Sequence, residues 1–370
     1  MIHSSAPGKL FFSGEWAVLE VGNPGLVVSV DKRVHVELEK ADEISISVED
    51  FDIKEAKAKF EDGEIEFSGV TQGEKDKLKF TKYALESVLS YVEDYEPFKM
   101  NSWGELSQIR VDGELKKIGF GSSASSTVAT IAGILSMNGY DVTDKDVRDK
   151  IYKLGAIAHY LAQGKVGSGF DIAASTYGGV FVYQRFDPDW LIEQMDSGKS
   201  IREIVEMDWP SFRAEPLEVP EDFELSIGWT GESASTSDMI RQMHNFRDSH
   251  PDEYDRLYGE IADLVEKEAE AWNSGDKEKA LELLQKNEEI LRELGEKSGV
   301  NIETPELKEL SEIAREKGGA GKLSGAGGGD CGIGVCFSKD TRIDIEEAWE
   351  EAGLKVLDAS IAREGVQVEK

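Results

Sequence analysis

Ile118-Gly119-Phe120-Gly121-Ser122-Ser123-Ala124-Ser125, running straight into an apolar stretch over residues 127–137, is the segment from which the rest of the chain is read. Glycine lets backbone amides approach an anion that a Cβ would hold away. Gly119 and Gly121 bend the chain, and Ser122, Ser123 and Ser125 offer hydroxyls. The buried helix expected next aims its N-terminal amides and positive dipole end at the turn. An anion cradle is therefore expected here, against the plain alternative of a serine-capped helix start. Two better-known phosphate loops fit less well. A Walker A loop needs Gly, four residues, then Gly-Lys-Ser/Thr, and Gly321-Lys322-Leu323 lacks both flanks. Gly119-x-Gly121-x-x-Ala124, with Asp141 about twenty residues on, matches a loose dinucleotide fingerprint and would support a nicotinamide-dependent oxidoreductase. That fingerprint normally opens the first βαβ unit, whereas here a long β-rich stretch precedes it.

Upstream, residues 10–12, 16–19, 25–30 and 34–38 read as strands separated by Gly, Pro and Asp breakers, and residues 80–95 carry helical spacing. Downstream, a helix is expected from Thr143 to Gly164, then a glycine-rich segment over 164–179 and a strand over 180–183. Composition shifts near Asp187. The second half reads as a strand at 223–229, charged amphipathic helices at about 253–272, 276–297 and 304–317, a glycine-rich run at 318–334, and a last helix near 344–352 before a terminal strand. At 370 residues the chain exceeds the ~250–300 at which single cores stop growing. The class is α+β with two domains, 1–185 and 186–370.

The formal charge of −32 disfavours nucleic acid and anionic membranes as partners, and the acidic excess reads as a solvated surface. A few lysines in a pocket still suffice to hold an anionic small molecule. Two cysteines, Cys331 and Cys336, are too few for a disulfide framework and lack metal-site spacing. No segment reads as a secretory leader or membrane span, so a cytoplasmic location is expected.

Three further segments carry candidate chemistry. Ala6-Pro7-Gly8-Lys9 places a lysine on a turn before a strand, a point charge suited to phosphate. The run 321–330 is too rich in glycine for an ordinary turn, and its amides suit a second anion nest, the alternative being a flexible linker. The segment 162–175 sets Asp171 between a Gly-Ser turn and an apolar stretch, where a partly desolvated carboxylate can orient or deprotonate an attacking group or merely cap a helix.

Pro7-Gly8-Lys9, Gly119-x-Gly121-Ser122-Ser123-Ala124 and Ser324-Gly325-Ala326-Gly327-Gly328-Gly329, in this order, resemble the three motifs of the GHMP kinases. Within that superfamily Ala158-His159-x-x-Ala162-Gln163-Gly164-Lys165-x-Gly167-Ser168-Gly169-x-Asp171-Ile172-Ala173-Ala174-Ser175, and Gly228-Trp229-Thr230-Gly231 before Ser235 and Ser237, are most similar to phosphomevalonate kinases. The resemblance implies a ribosomal-protein-S5-like N-terminal half, a ferredoxin-like C-terminal half, and a site between them for ATP and Mg2+. It implies transfer of the γ-phosphoryl group of ATP to (R)-5-phosphomevalonate, with another enzyme acting on mevalonate or its phosphates as the alternative. It assigns Gly119, Gly121, Ser122, Ser123, Ala124 and Ser125 to the ATP phosphates and Ser122 or Ser123 to the metal. Asp171, Lys9 and Lys117 are the implied catalytic residues. Ser168, Gly169, Ser235, Ser237, Gly325, Ala326, Gly327 and Gly328 join them as implied acceptor contacts. Mevalonate kinases carry a glutamate metal ligand shortly before the Gly-Ser turn, where this chain reads His159-Tyr160-Leu161.

Overall fold

The computed structural model describes residues 1–105, 109–111, 114–116, 118–231 and 236–369. Its larger sheet is nine-stranded, running Arg213–Leu217, Val180–Gln184, Pro24–Lys40, Phe98–Gly104, Ile44–Val48, Ile53–Glu61, Glu64–Ser68, with Ile2–Ser13 also paired to Pro24–Lys40 and Gln367–Glu369 paired to Ile2–Ser13. All these pairings are antiparallel except that between Ile44–Val48 and Phe98–Gly104. The smaller sheet orders Ala320–Leu323, Cys331–Cys336, Glu224–Trp229 and Lys355–Val356, all antiparallel. Arg213–Leu217 and Gln367–Glu369 thus belong to the first sheet although both lie beyond residue 185 in the chain.

The central strands are buried on both faces, and strand periodicity explains why. Successive side chains point to opposite sides. Phe11, Val27 and Phe181 enter one apolar core with the helices Lys79–Val92, Ser122–Met137 and Lys145–Ala162, while Leu10, Phe12, Leu26, Val28, Val180 and Val182 enter a second. That second core also takes Leu257, Ile261 and Leu284 from the helices Pro251–Ser274 and Lys277–Ser298, and Ile333 and Val335 from the smaller sheet. The halves of the chain therefore meet across a continuous apolar layer. Strands covered on both sides read as near-continuous hydrophobic runs, as residues 25–30 do apart from Ser29, whose buried hydroxyl donates to the Ala174 carbonyl. Beneath the smaller sheet, a Cβ on Gly334 would stand 2.9 Å from the Trp349 ring, which is how the helix Lys339–Glu351 packs so closely.

The mixed α+β class is as expected, and the three charged helices fall at Pro251–Ser274, Lys277–Ser298 and Pro305–Glu316. Residues 16–19 are not a strand. Ile2–Ser13 ends where Gly14 and Trp16 take positive φ, and Ala17–Leu19 forms a 3-10 turn. The glycine-rich segment contains the helix Phe170–Tyr177, and Thr236–Ser249 is a further helix, both beyond the sequence expectation. Cys331 and Cys336 are buried and form no disulfide. No helix among the described residues is long and apolar enough to cross a membrane.

Candidate active site

Lys9 lies just past an irregularity in the strand Ile2–Ser13, where the pairing register shifts between Pro7 and Gly8. Its backbone N–H donates to the Phe120 carbonyl at 2.9 Å, and its Nζ donates to the Gly119 carbonyl at 2.7 Å. Its aliphatic stem runs over Gly121, where a Cβ would stand 3.1 Å from Lys9 Cγ and where φ is +81°. Glycine is thus required at 121 on two counts. The Lys9 Nζ also lies 5.5 Å from the centroid of the Phe170 ring, so the ammonium is flanked by the loop and by the start of the Asp171 helix.

Gly121 caps the helix Ser122–Met137. The amides of Ser122 and Ser123, first in the helix, have no intrahelical acceptor, whereas those of Ala124 and Ser125 turn back to the Gly121 carbonyl at 3.1 and 3.2 Å. The Ala124 side chain is in the core. Ser125 departs from the sequence expectation, because its hydroxyl is buried and donates to the Pro7 carbonyl at 2.7 Å, with Ser175 Oγ 3.2 Å away. It braces the loop against the Lys9 strand and does not present its hydroxyl to a phosphate.

Asp171 sits in the first turn of Phe170–Tyr177 and accepts at Oδ1 from the Ile172 amide at 3.0 Å. Its Oδ2 lies 3.6 Å from Nδ1 of His159, and Nε2 of the same imidazole lies 3.1 Å from Ser123 Oγ. His159 comes from the helix Lys145–Ala162, is 3% exposed, and packs with its ring centroid 4.9 Å from that of Phe80. One buried ring therefore joins the carboxylate to the loop serine. Ser168 is buried, and its carbonyl accepts the Tyr183 hydroxyl, which lies 3.0 Å from that of Tyr152. Gly169, at φ +77°, begins the Asp171 helix.

The glycine-rich run 325–329 is not a linker. Ser324 Oγ donates to the Phe11 carbonyl at 3.0 Å and accepts from the Phe11 amide at 2.9 Å, locking the run to the Lys9 strand. The Gly328 amide donates to the Ile302 carbonyl at 2.8 Å, and a Cβ on Gly327 would stand only 2.0 Å from that oxygen. Asp330, which sequence reasoning passed over, accepts from the Gly119 amide at 3.3 Å and would collide with any Cβ on Gly119. Burial pushes its carboxyl above the usual carboxylate range, and the charge of Lys9 opposes that shift. Its signal in the sequence is a lone acid ending a run of glycines.

A cavity of about 160 Å³ is lined by Lys9, Phe11, Ser168, Phe170, Gly325 and Ala326, together with Thr236 of the helix Thr236–Ser249. Ser237 is the second residue of that helix. A larger groove of about 480 Å³, at Tyr177, Pro216 and Arg363, contains none of the three motifs, so chemistry and not size singles out the smaller one. Lys117 and Ser235 lie outside the described residues. Among the described residues no group of three or more His, Cys, Asp and Glu could hold a metal ion. Mg2+ is ordinarily bound through one or two protein oxygens plus substrate phosphates and water, so a loop serine with a nearby carboxylate fits it without such a cage.

Behind the cleft lies a second polar group, sealed from solvent. Lys322, 0% exposed, donates to Glu15, 1% exposed, and to the Leu323 carbonyl at 2.6 Å. Glu288 accepts from Ser311 Oγ at 2.8 Å and from the Leu323 amide at 3.2 Å. Glu268 accepts weakly from the Trp272 indole at 3.4 Å, and burial pushes its carboxyl up to about 8. Burial pushes the Glu288 carboxyl up as well, with Lys322 pulling the other way. Neither Glu15 Oε2 nor Glu268 Oε2 has a hydrogen-bond partner among the described residues.

Comparison with known proteins places this geometry. The family model for the GHMP kinases N terminal domain matches residues 82–179, and that for the GHMP kinases C terminal matches residues 267–355. A phosphomevalonate kinase from Streptomyces sp. (strain CL190) is 30% identical over 377 residues, 98% of this chain and 97% of its own. A mevalonate kinase from Thermococcus sibiricus is 28% identical, over 99% of this chain and 98% of its own. Among solved structures, a Lin0012 protein from Listeria innocua superposes with a TM-score of 0.88 at 31% identity, covering 100% of this chain and 99% of that one. The Streptococcus pneumoniae phosphomevalonate kinase, solved in complex with phosphomevalonate and AMPPNP, shares the fold at a TM-score of 0.81 and 24% identity, covering 98% and 100%. Both domain models fall in order on a chain whose relatives align with nearly all of it, and the chain belongs to the GHMP kinase family.

Proposed function

We propose that this ATP-dependent kinase of the mevalonate pathway acts on (R)-5-phosphomevalonate, moving the γ-phosphoryl group of ATP onto its phosphate to give 5-diphosphomevalonate and ADP. The observation that carries the reading is that Lys9, Ser168 and Gly325 line one cavity while the Lys9 ammonium is seated on the carbonyl of the nucleotide loop. A cation at the junction of donor and acceptor suits two anionic groups that must be brought together. An acceptor that is already a phosphate needs charge neutralisation and alignment more than loss of a proton. The 30% identity to a phosphomevalonate kinase across nearly the whole chain supports this choice, as does the reading His159-Tyr160-Leu161 in the region where mevalonate kinases carry a glutamate.

In this reading Gly119, Gly121 and the amides of Ser122 and Ser123, unpaired within the helix, cradle the ATP phosphates, with Ala124 packing the turn against the core. Lys9 draws the acceptor phosphate toward them, Asp171 orients it, and Ser168, Gly169, Ser237 and residues 325–328 enclose it. Lys117 keeps the role of bridging donor and acceptor phosphates, and Ser235 that of an acceptor contact, that the family resemblance implies. Mg2+, held by a hydroxyl of Ser122 or Ser123 with nucleotide oxygens, would supply charge neutralisation on the transferring phosphates.

The 28% identity to mevalonate kinases over 99% of the chain favours a second reading, with mevalonate as acceptor. Coupled ADP release by the purified protein, offered mevalonate, 5-phosphomevalonate and 5-diphosphomevalonate in turn, separates the two. Turnover with 5-phosphomevalonate alone is expected, and turnover with mevalonate alone would replace the acceptor. Carbon dioxide release with 5-diphosphomevalonate would indicate a decarboxylase.

A further inference from the structure

His159 is the one side chain that reaches both Asp171 and the nucleotide loop in the contacts described above, and the chemistry of its ring limits what it does there. An ionised carboxylate only accepts hydrogen bonds, so the nitrogen facing Asp171, Nδ1, is the favoured seat of the imidazole proton. At 3.6 Å the approach is an electrostatic contact and not a hydrogen bond. A neutral ring with its proton on Nδ1 has a lone pair on Nε2. The 3.1 Å contact with Ser123 then has one sense, with the serine hydroxyl donating to Nε2.

That sense decides what Ser123 offers the loop. With its proton turned toward the imidazole, Ser123 Oγ keeps lone pairs for a cation. With the opposite tautomer, Nε2–H would donate to the serine and the serine proton would be released toward a phosphate oxygen. The same atom is a metal ligand in the first case and a phosphate donor in the second. Burial and the tilted Phe80 ring against it hold the imidazole in place between the two groups.

We infer that His159 is a positioning residue: its Nε2 accepts a hydrogen bond from the Ser123 hydroxyl, leaving lone pairs of that oxygen to face Mg2+, while its Nδ1–H steadies Asp171. The inference rests on the roles given above to Asp171 and Ser123, and extends them to a residue that has no contact with nucleotide or acceptor in that scheme. Metal ligands are commonly oriented through such outer contacts, whose loss weakens metal affinity by about 10–100-fold.

The first test needs no metal or substrate. Ring 15N shifts of His159 in the metal-free protein are expected to show the neutral Nδ1–H tautomer, and Asp171→Asn is expected to weaken that preference. An Nε2–H tautomer in the unsubstituted protein would overturn the inference. The second test titrates Mg2+ against AMPPNP binding by calorimetry, without acceptor. His159→Phe is expected to raise the Mg2+ requirement about tenfold with metal-free AMPPNP affinity unchanged. His159→Gln, whose amide oxygen can accept from Ser123, is expected to restore most of the Mg2+ response but not turnover. If both variants keep the native melting temperature and the native Mg2+ requirement, the inference is wrong. Should His159→Phe fail to fold, the tautomer measurement decides. Failure of the functional reading looks different, since turnover with mevalonate alone would then replace the acceptor whatever the tautomer of His159.

Discussion

Lys9 and Lys322 each stand among carboxylates, in neighbourhoods built from the same first strand and the same glycine-rich run, yet the two are finished differently. Lys9 is half-buried, donates to the Gly119 carbonyl and lines an open cavity, with the Asp330 carboxylate within reach of its charge and its Nζ over the Phe170 ring that precedes Asp171. Lys322 is fully buried, held by the Leu323 carbonyl and by Glu15, a 1% exposed residue at the wall of the same cavity. An ammonium has three donors. The first lysine keeps capacity for a ligand and the second is committed within the fold. Charge content therefore does not tell a reactive site from an internal brace, whereas access and the completeness of partners do.

The comparison can be broken in four ways, each with its own readout. Asp171→Asn has the largest expected effect, a fall in kcat of about 10²–10⁴-fold with melting temperature and AMPPNP affinity retained. A loss of folding instead would make Asp171 part of the brace. Next, Lys322→Met strands Glu15 as an unpaired buried acid and is expected to cost about 3–5 kcal/mol of stability in denaturant titrations. Adding Glu15→Gln should return part of that loss, and the folded fraction should keep its KM for ATP.

The third concerns pH. Burial raises Glu268 to about 8 from an ordinary value of 4.5, so between those values the folded state holds a proton that the unfolded state has lost. Stability from this group is present below the unfolded value and falls as pH rises toward about 8. Glu268→Gln should flatten the pH dependence of the melting temperature across that window and stabilise the protein at its alkaline end by about 1–3 kcal/mol. An unchanged dependence would mean that Glu268 is already ionised in the folded state. The smallest effect is expected for Ser125→Ala, about 0.5–1.5 kcal/mol of stability with KM for ATP unchanged, because Ser175 still donates to the Pro7 carbonyl at 2.8 Å. A raised KM would return Ser125 to the phosphate site.

Serine 125 also marks what the amino-acid order could disclose. The Gly-Ser loop, Lys9 and the glycine-rich run were legible because each needs rare residue types at close spacing. Two residues apart on a helix is about 200°, so Ser123 and Ser125 face opposite ways, and Ser125 shares its face with the core residues Val128 and Ala132. Helical periodicity already held that correction. The helix Phe170–Tyr177 was harder to see, being a short segment started by a glycine at positive φ and lacking a capping side chain. Asp330 and His159 were the least visible. Their significance comes from contacts with Gly119, Asp171 and Ser123, which tertiary folding alone brings together.

The reciprocal clasp between Phe11 and Ser324 joins residues 313 positions apart. At about 5–20 residues per second, a ribosome needs roughly 15–60 s to make the chain between them. Throughout that interval the nascent strand bearing Lys9 lacks the partner that fixes the glycine-rich run beside it. Nucleotide-handling competence must then arrive late in synthesis, well after the Gly-Ser loop itself has been made, and the emerging N-terminal half is the part most in need of shelter from other chains.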